Sequence, residues 1–70
     1  LTTLIILGID TSCDESCAAI VDSARWQLLS DVVISHVDQM KAFGGIVPEV
    51  ASREHLKALP LAVTRALENA

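Results

Sequence analysis

Leu4-Ile5-Ile6-Leu7-Gly8-Ile9-Asp10-Thr11-Ser12-Cys13-Asp14-Glu15 lies near the start of the chain and decides how the rest is read. Leu4 to Ile9 is an aliphatic run interrupted only by Gly8. A strand with one wet face alternates apolar and polar residues, whereas a strand covered on both faces reads as a continuous apolar run. The run therefore predicts a strand buried on both sides. It is far shorter than the roughly 20 apolar residues that a membrane helix needs. It is also a poor secretory signal, because no basic residue precedes it and Asp10 follows at once. The polar residues Asp10 to Ser16 predict a turn, and Cys17 to Val21 a second short strand closed by Asp22-Ser23. Trp26 to Ser35 predicts a third, with Leu28, Val32 and Ile34 on one face and Leu29, Asp31 and Val33 on the other. Connections this short favour antiparallel hairpins.

Downstream, Asp38 to Gly45 reads as a loop, and a helix is predicted from Val47 or Glu49 to about Glu68. Pro48 suits the first turn, where its missing N–H has no helical partner to lose. Leu56, Leu59, Val63 and Leu67 recur at three- and four-residue steps and predict the buried stripe. Pro60 conflicts with a regular helix, at a cost of about 3 kcal/mol, and predicts a kink or two shorter helices. One helix covers one face of a three-stranded sheet and leaves the other open. The doubly apolar first strand therefore points to the front end of a larger fold.

The 70 residues bear a net charge of −4 and are 51% hydrophobic, with one Trp and one Phe. A domain this small is usually stabilised by disulfides, a metal or large aromatic anchors, and none is evident. The apolar excess reads as surface that meets either more chain or a partner. Arg25, Lys41, Arg53, Lys57 and Arg65 are dispersed, so no basic patch marks a nucleic-acid groove. Cys13 and Cys17, with no signal peptide, fit a reducing cytosol better than a disulfide framework. With His36 and His55 they match no common zinc-finger spacing. The missing initiator Met predicts a trimmed or processed start.

Two motifs carry chemistry. In Gly8 to Glu15 an apolar strand delivers a carboxylate and two hydroxyls to one end of the sheet. Turn N–H groups and hydroxyls hold phosphate oxygens, and a carboxylate there holds a hydrated Mg²⁺. An ordinary acidic hairpin turn uses the same residues for local reasons. In Gly44 to Leu56, Gly44-Gly45 allow positive φ, and Glu49 complements the positive end of the helix dipole. Ser52, Arg53 and His55 share the early turns, where Arg53 is able to fork onto a carboxylate or phosphate. A hinge followed by a solvated helix face is the plain alternative.

Taken together, Gly8-Ile9-Asp10-Thr11-Ser12-Cys13-Asp14-Glu15-Ser16 and Phe43-Gly44-Gly45-Ile46-Val47-Pro48-Glu49-Val50-Ala51-Ser52-Arg53-Glu54-His55 resemble the TsaD-type family. Its members make threonylcarbamoyladenosine in tRNA and were long labelled O-sialoglycoprotein endopeptidases, or glycoproteases. The resemblance runs from about Leu4 to the C-terminus. It implies an α/β fold: residues 1–70 would be the opening of the first actin-like ATPase lobe, an incomplete domain built of a three-stranded antiparallel meander and one helix. It also implies a cytoplasmic enzyme that transfers threonylcarbamoyl from its adenylate to N6 of the adenosine beside the anticodon. A nucleotide, a divalent metal (iron, zinc or magnesium), tRNA and a paralogous TsaB-type subunit would be its partners, with no membrane.

Asp10, Thr11 and Ser12 match the family's nucleotide-side loop. Gly44, Gly45, Pro48, Glu49, Ser52, Arg53 and His55 match the second, substrate-side signature. The family's metal-binding His pair has no counterpart here, so the resemblance places no catalytic residue and no metal ligand in this stretch. Asp10 stands where Glu is general in the family, Ser16 where Thr is common, His36 where Gln is frequent, and Met40 where His is. Three rival readings remain: a partner-binding module without catalysis, a metal-dependent glycoprotease, and another actin-like ATPase such as a sugar kinase.

Overall fold

The computed structural model describes residues 4–12 and 14–70, apart from the side chain at position 39. Strands β1 (Ile5–Ser12), β2 (Glu15–Asp22) and β3 (Gln27–Ser35) are followed by a short helix α1 (Val37–Lys41) and a long helix α2 (Pro48–Asn69). The strands form an antiparallel meander in the order β1-β2-β3. The predicted turn at Asp10–Ser16 is tighter than expected. Pairing persists to Ser12↔Glu15, so only two residues connect the strands, as alternation carried to the strand tips permits. Cys13 lies outside the described residues.

The β2–β3 connection is fixed locally: Asp22 Oδ1 accepts the Ala24 and Arg25 N–H groups at 3.0 and 3.3 Å, as in Asx turns. Trp26 completes the turn at φ 50°.

The predicted faces of β3 need correction. The register passes from Ile20↔Ser30 to Val21↔Leu28, leaving Leu29 as an extra residue. Such a bulge breaks the two-residue alternation. Leu29 therefore joins Val32 and Ile34 against the core, and Leu28 is exposed.

The predicted loop at Asp38–Gly45 begins with α1 instead, whose Met40 is buried. The chain then turns back through Gly44 at φ 75° and Gly45 at φ 153°. Helix α2 starts with Pro48 in its first turn, and Val47 C=O accepts the Ala51 N–H at 2.9 Å. It continues through Pro60 as one helix rather than two. Pro60 is exposed, so the missing hydrogen bond faces water rather than core.

The buried stripe of α2 is Ala51, Ala58, Ala62 and Ala66, not the predicted leucines. Leu56 is 78% and Leu67 57% exposed, Leu59 is half-buried, and Val63 packs at the core's edge. Small residues let the helix backbone come close to the sheet. That closeness is visible where Ser30 Oγ donates to the Ala66 carbonyl at 2.6 Å. The core is Ala18, Ile20, Ala62 and Ala66, edged by Leu29, Val32, Ile34 and Val63.

Helix α2 lies over β2 and β3 and barely reaches β1. Every residue of β1 is exposed, including Ile5, Ile6, Leu7 and Ile9 at 44–58%. The strand predicted to be covered on both faces is here covered on neither. No helix among the described residues is long and apolar enough to cross a membrane.

Candidate functional site

Strand register divides the first motif between the two faces of the sheet. Neighbouring residues of a strand point to opposite sides. Asp10 pairs across β2 with Cys17, and Cys17 across β3 with Val33. This row lies on the face away from α2, in a shallow groove with Gly8, Ala19 and Asp31. Thr11 pairs with Ser16, and Ser16 with Ile34, on the face that α2 covers. Asp10 and Ser12 are thus together, and the Ser12 hydroxyl donates to Asp10 Oδ2 at 3.0 Å. Thr11 is on the other side.

The second motif divides as well. Consecutive positions on α2 are about 100° apart. Ser52 and His55 turn toward β1 and line one groove with Thr11, Ile46, Pro48 and Ala51. A continuation of that groove runs along Leu56, Leu59 and Pro60. Arg53 faces another way, into a groove with Phe43, Val50, Glu54 and Lys57. Glu49 is exposed in the first turn. The fold therefore brings Thr11, Ser52 and His55 together, and keeps Asp10, Ser12, Glu49 and Arg53 apart from them.

His55 also belongs to a polar cluster whose other members, Ser16, His36 and Glu54, were not among the candidate site residues. Ser16 is fully buried and His36 is 3% exposed. Ser16 Oγ is 3.1 Å from His36 Nε2 and 2.6 Å from His55 Nδ1. The two rings meet edge to face, with centroids 5.3 Å apart. His36 Nδ1 stands 4.0 Å from Glu54 Oε2, and Lys57 Nζ is 3.8 Å from Glu54 Oε1. No buried side-chain nitrogen or oxygen among the described residues lacks a hydrogen-bond partner. Ser16 was legible as a hint, since it shares the two-residue phase of Ala18 and Ile20. An inward polar residue at such a position demands a partner. Which histidine answered was not legible, because the partners lie 20 and 39 residues away.

Cys17 is on the face opposite these histidines, so the weak four-ligand zinc pattern is not assembled by the described residues. Among them, no three His, Cys, Asp or Glu side chains converge to hold a metal ion. Partial burial, and then the carboxylates of Glu15, Asp10 and Asp31, push the Cys17 thiol up. Cys17 is therefore held as a neutral thiol rather than a nucleophile.

A family model described as TsaD, tRNA N6-adenosine threonylcarbamoyltransferase, matches residues 27–70. Curated relatives with the name tRNA N6-adenosine threonylcarbamoyltransferase match almost the whole chain. The protein from Brucella anthropi is 50% identical over 68 residues, covering 93% of this chain and 19% of the relative. The Rhizobium etli protein is 48% identical over 68 residues, with the same coverage. The Thermosipho melanesiensis protein is 48% identical over 67 residues, covering 96% of this chain and 20% of the relative. The chain spans about a fifth of the length of the relatives it matches.

Proposed function

The chain belongs to the TsaD family of tRNA N6-adenosine threonylcarbamoyltransferases, and from that premise we propose that it forms the first part of the first actin-like lobe of such an enzyme. The activity of the whole would be transfer of threonylcarbamoyl from its adenylate to N6 of a tRNA adenosine, in the cytoplasm. The observation that carries this reading is the identity of about half of all positions to relatives bearing that name, across 93% of the chain. The exposed aliphatic surface of β1 supports it, because a larger fold would cover that surface.

In this proposal Thr11 and Ser12 offer hydroxyls to nucleotide phosphate from the two sides of the β1 tip. Asp10 would act through a hydrated cation, since a bare carboxylate repels phosphate. Ser52 and His55 would face substrate across the Thr11 groove, and Glu49 and Arg53 would contact other parts of it. These 70 residues would show no transferase activity by themselves.

The test is transfer of labelled threonylcarbamoyl from its adenylate, labelled in the threonyl moiety, to tRNA adenosine by the full-length protein together with a TsaB-type subunit. Modified adenosine found by mass spectrometry supports the proposal, and its absence overturns it. Activity from residues 1–70 alone would overturn the inert-fragment part. A second reading, a partner-binding module without catalysis, is favoured by the exposure of Leu56 and Leu67. They lie about three turns apart on the outer side of α2. Retained binding to the TsaB-type subunit without transfer would select that reading.

A further inference from the structure

Helix α2 is held to the sheet differently along its two halves. The C-terminal half packs through Ala62 and Ala66 on Ala18 and Ile20, which together form the core. The N-terminal half carries the second signature and meets the sheet at His55, about 10 Å along the helix from Ala62. Ala51 and Ala58 are buried on this half, but apolar burial has no preferred direction. Direction comes from Ser16, the cross-strand neighbour of Thr11. Its buried Oγ is 3.1 Å from His36 Nε2 and 2.6 Å from His55 Nδ1. A hydroxyl has one hydrogen and two lone pairs. It therefore serves both rings under any arrangement of ring protons that points no more than one lone pair at it. His36 is fixed in turn from outside α2. Its N–H donates to the Asp14 carbonyl in the β1–β2 turn, and its carbonyl accepts the Met40 N–H of α1 at 3.1 Å. One hydroxyl thus ties β2, the entry to α1 and the signature half of α2.

We infer that Ser16 and His36 are positioning residues that set the rotation and advance of the signature half of α2 against the tip of β1, and so hold Ser52 and His55 in one groove with Thr11. Without the tie, the apolar half of the helix stays packed while the signature half shifts against the sheet. The consequence for transfer rests on the reading of that groove as substrate-side. There, misplacement by about 1 Å costs as much as roughly 100-fold in rate.

The experiment is amide hydrogen exchange of the full-length protein, read by mass spectrometry, with threonylcarbamoyl transfer assayed on the same variants. Ser16→Ala and, independently, His36→Leu should speed exchange across residues 48–57 by about tenfold relative to residues 61–69, the mark of local opening. Ser16→Thr keeps the hydroxyl and should exchange as the parent does. Equal acceleration of the two stretches, or none in either, overturns the inference. In the transfer assay Ser16→Ala should lower kcat/KM by roughly 10- to 100-fold, and Ser16→Thr should keep it. Ile20→Val weakens the apolar core without touching the tie, and should lower the melting temperature but not kcat/KM. A Ser16→Ala protein as active as the parent overturns the role in transfer, as does an equal loss of activity in Ile20→Val. A parent protein that transfers nothing fails the transferase reading alone, and the exchange comparison still decides the positioning.

Discussion

Gly44 and Cys17 show how single residues answer to backbone and field. Gly44 has φ 75°, and a Cβ built there would meet nothing within 4 Å. The cost of a side chain is therefore conformational, not steric crowding by neighbours. Gly44→Ala should destabilise the full-length protein by about 1–2 kcal/mol, read from denaturation midpoints, and Gly44→Asn by less, because Asn tolerates the left-handed region. Equal stability of all three would show that the loop does not hold that conformation. Cys17 sits in the field of three carboxylates. Its thiolate would face Asp10, Glu15 and Asp31, so the neutral form is favoured. At any given pH below its raised pKa a smaller fraction is thiolate than in an ordinary cysteine. Native Cys17 should therefore react with iodoacetamide more slowly than unfolded Cys17, and the difference should narrow as pH rises. Asp10→Asn should speed the native reaction.

At the scale of elements, α2 separates two kinds of apolar residue that sequence periodicity merges. The four alanines face the sheet, and Leu56 does not. Ala62 is completely buried, so Ala62→Leu should cost about 1–3 kcal/mol by overpacking. Leu56→Ser should fall within about 0.5 kcal/mol in residues 1–70; in the full-length protein a larger loss would reveal a covering segment. Pro60 lies inside the helix and is exposed. Pro60→Ala restores a backbone donor toward the Leu56 carbonyl. It should raise stability by up to about 3 kcal/mol, seen as a higher melting temperature. An unchanged or lower value would mean that the helix depends on the proline's geometry.

The chain is elongated, with extents of 50 × 17 × 15 Å and a radius of gyration of 14.2 Å. A compact chain of this length would have a radius near 11 Å. One helix lies across two strands, and β1 remains an open edge with Ile5, Ile6, Leu7 and Ile9 exposed on its two faces. Unpaired apolar edges promote association, and charged residues suppress it. Residues 1–70 produced alone should therefore self-associate with rising concentration in light scattering. Ile6→Lys with Leu7→Lys should shift them toward monomer. Unsubstituted residues 1–70 that stayed strictly monomeric would count against β1 as an adhesive edge.

Sequence alone determined the element order, the antiparallel meander, the Pro-started helix and the family, because these depend on local pattern and on motifs contiguous in the chain. Tertiary structure decided what pattern left degenerate. The bulge at Leu29 exchanged the faces of β3. Helix–sheet closeness selected alanines over leucines for the buried stripe. Opposite strand faces parted Asp10 from Thr11, and contacts across 20 and 39 residues joined Ser16 to His36 and His55. Each of these is a choice between alternatives nearly equal in local energy, settled only when separate segments pack against one another.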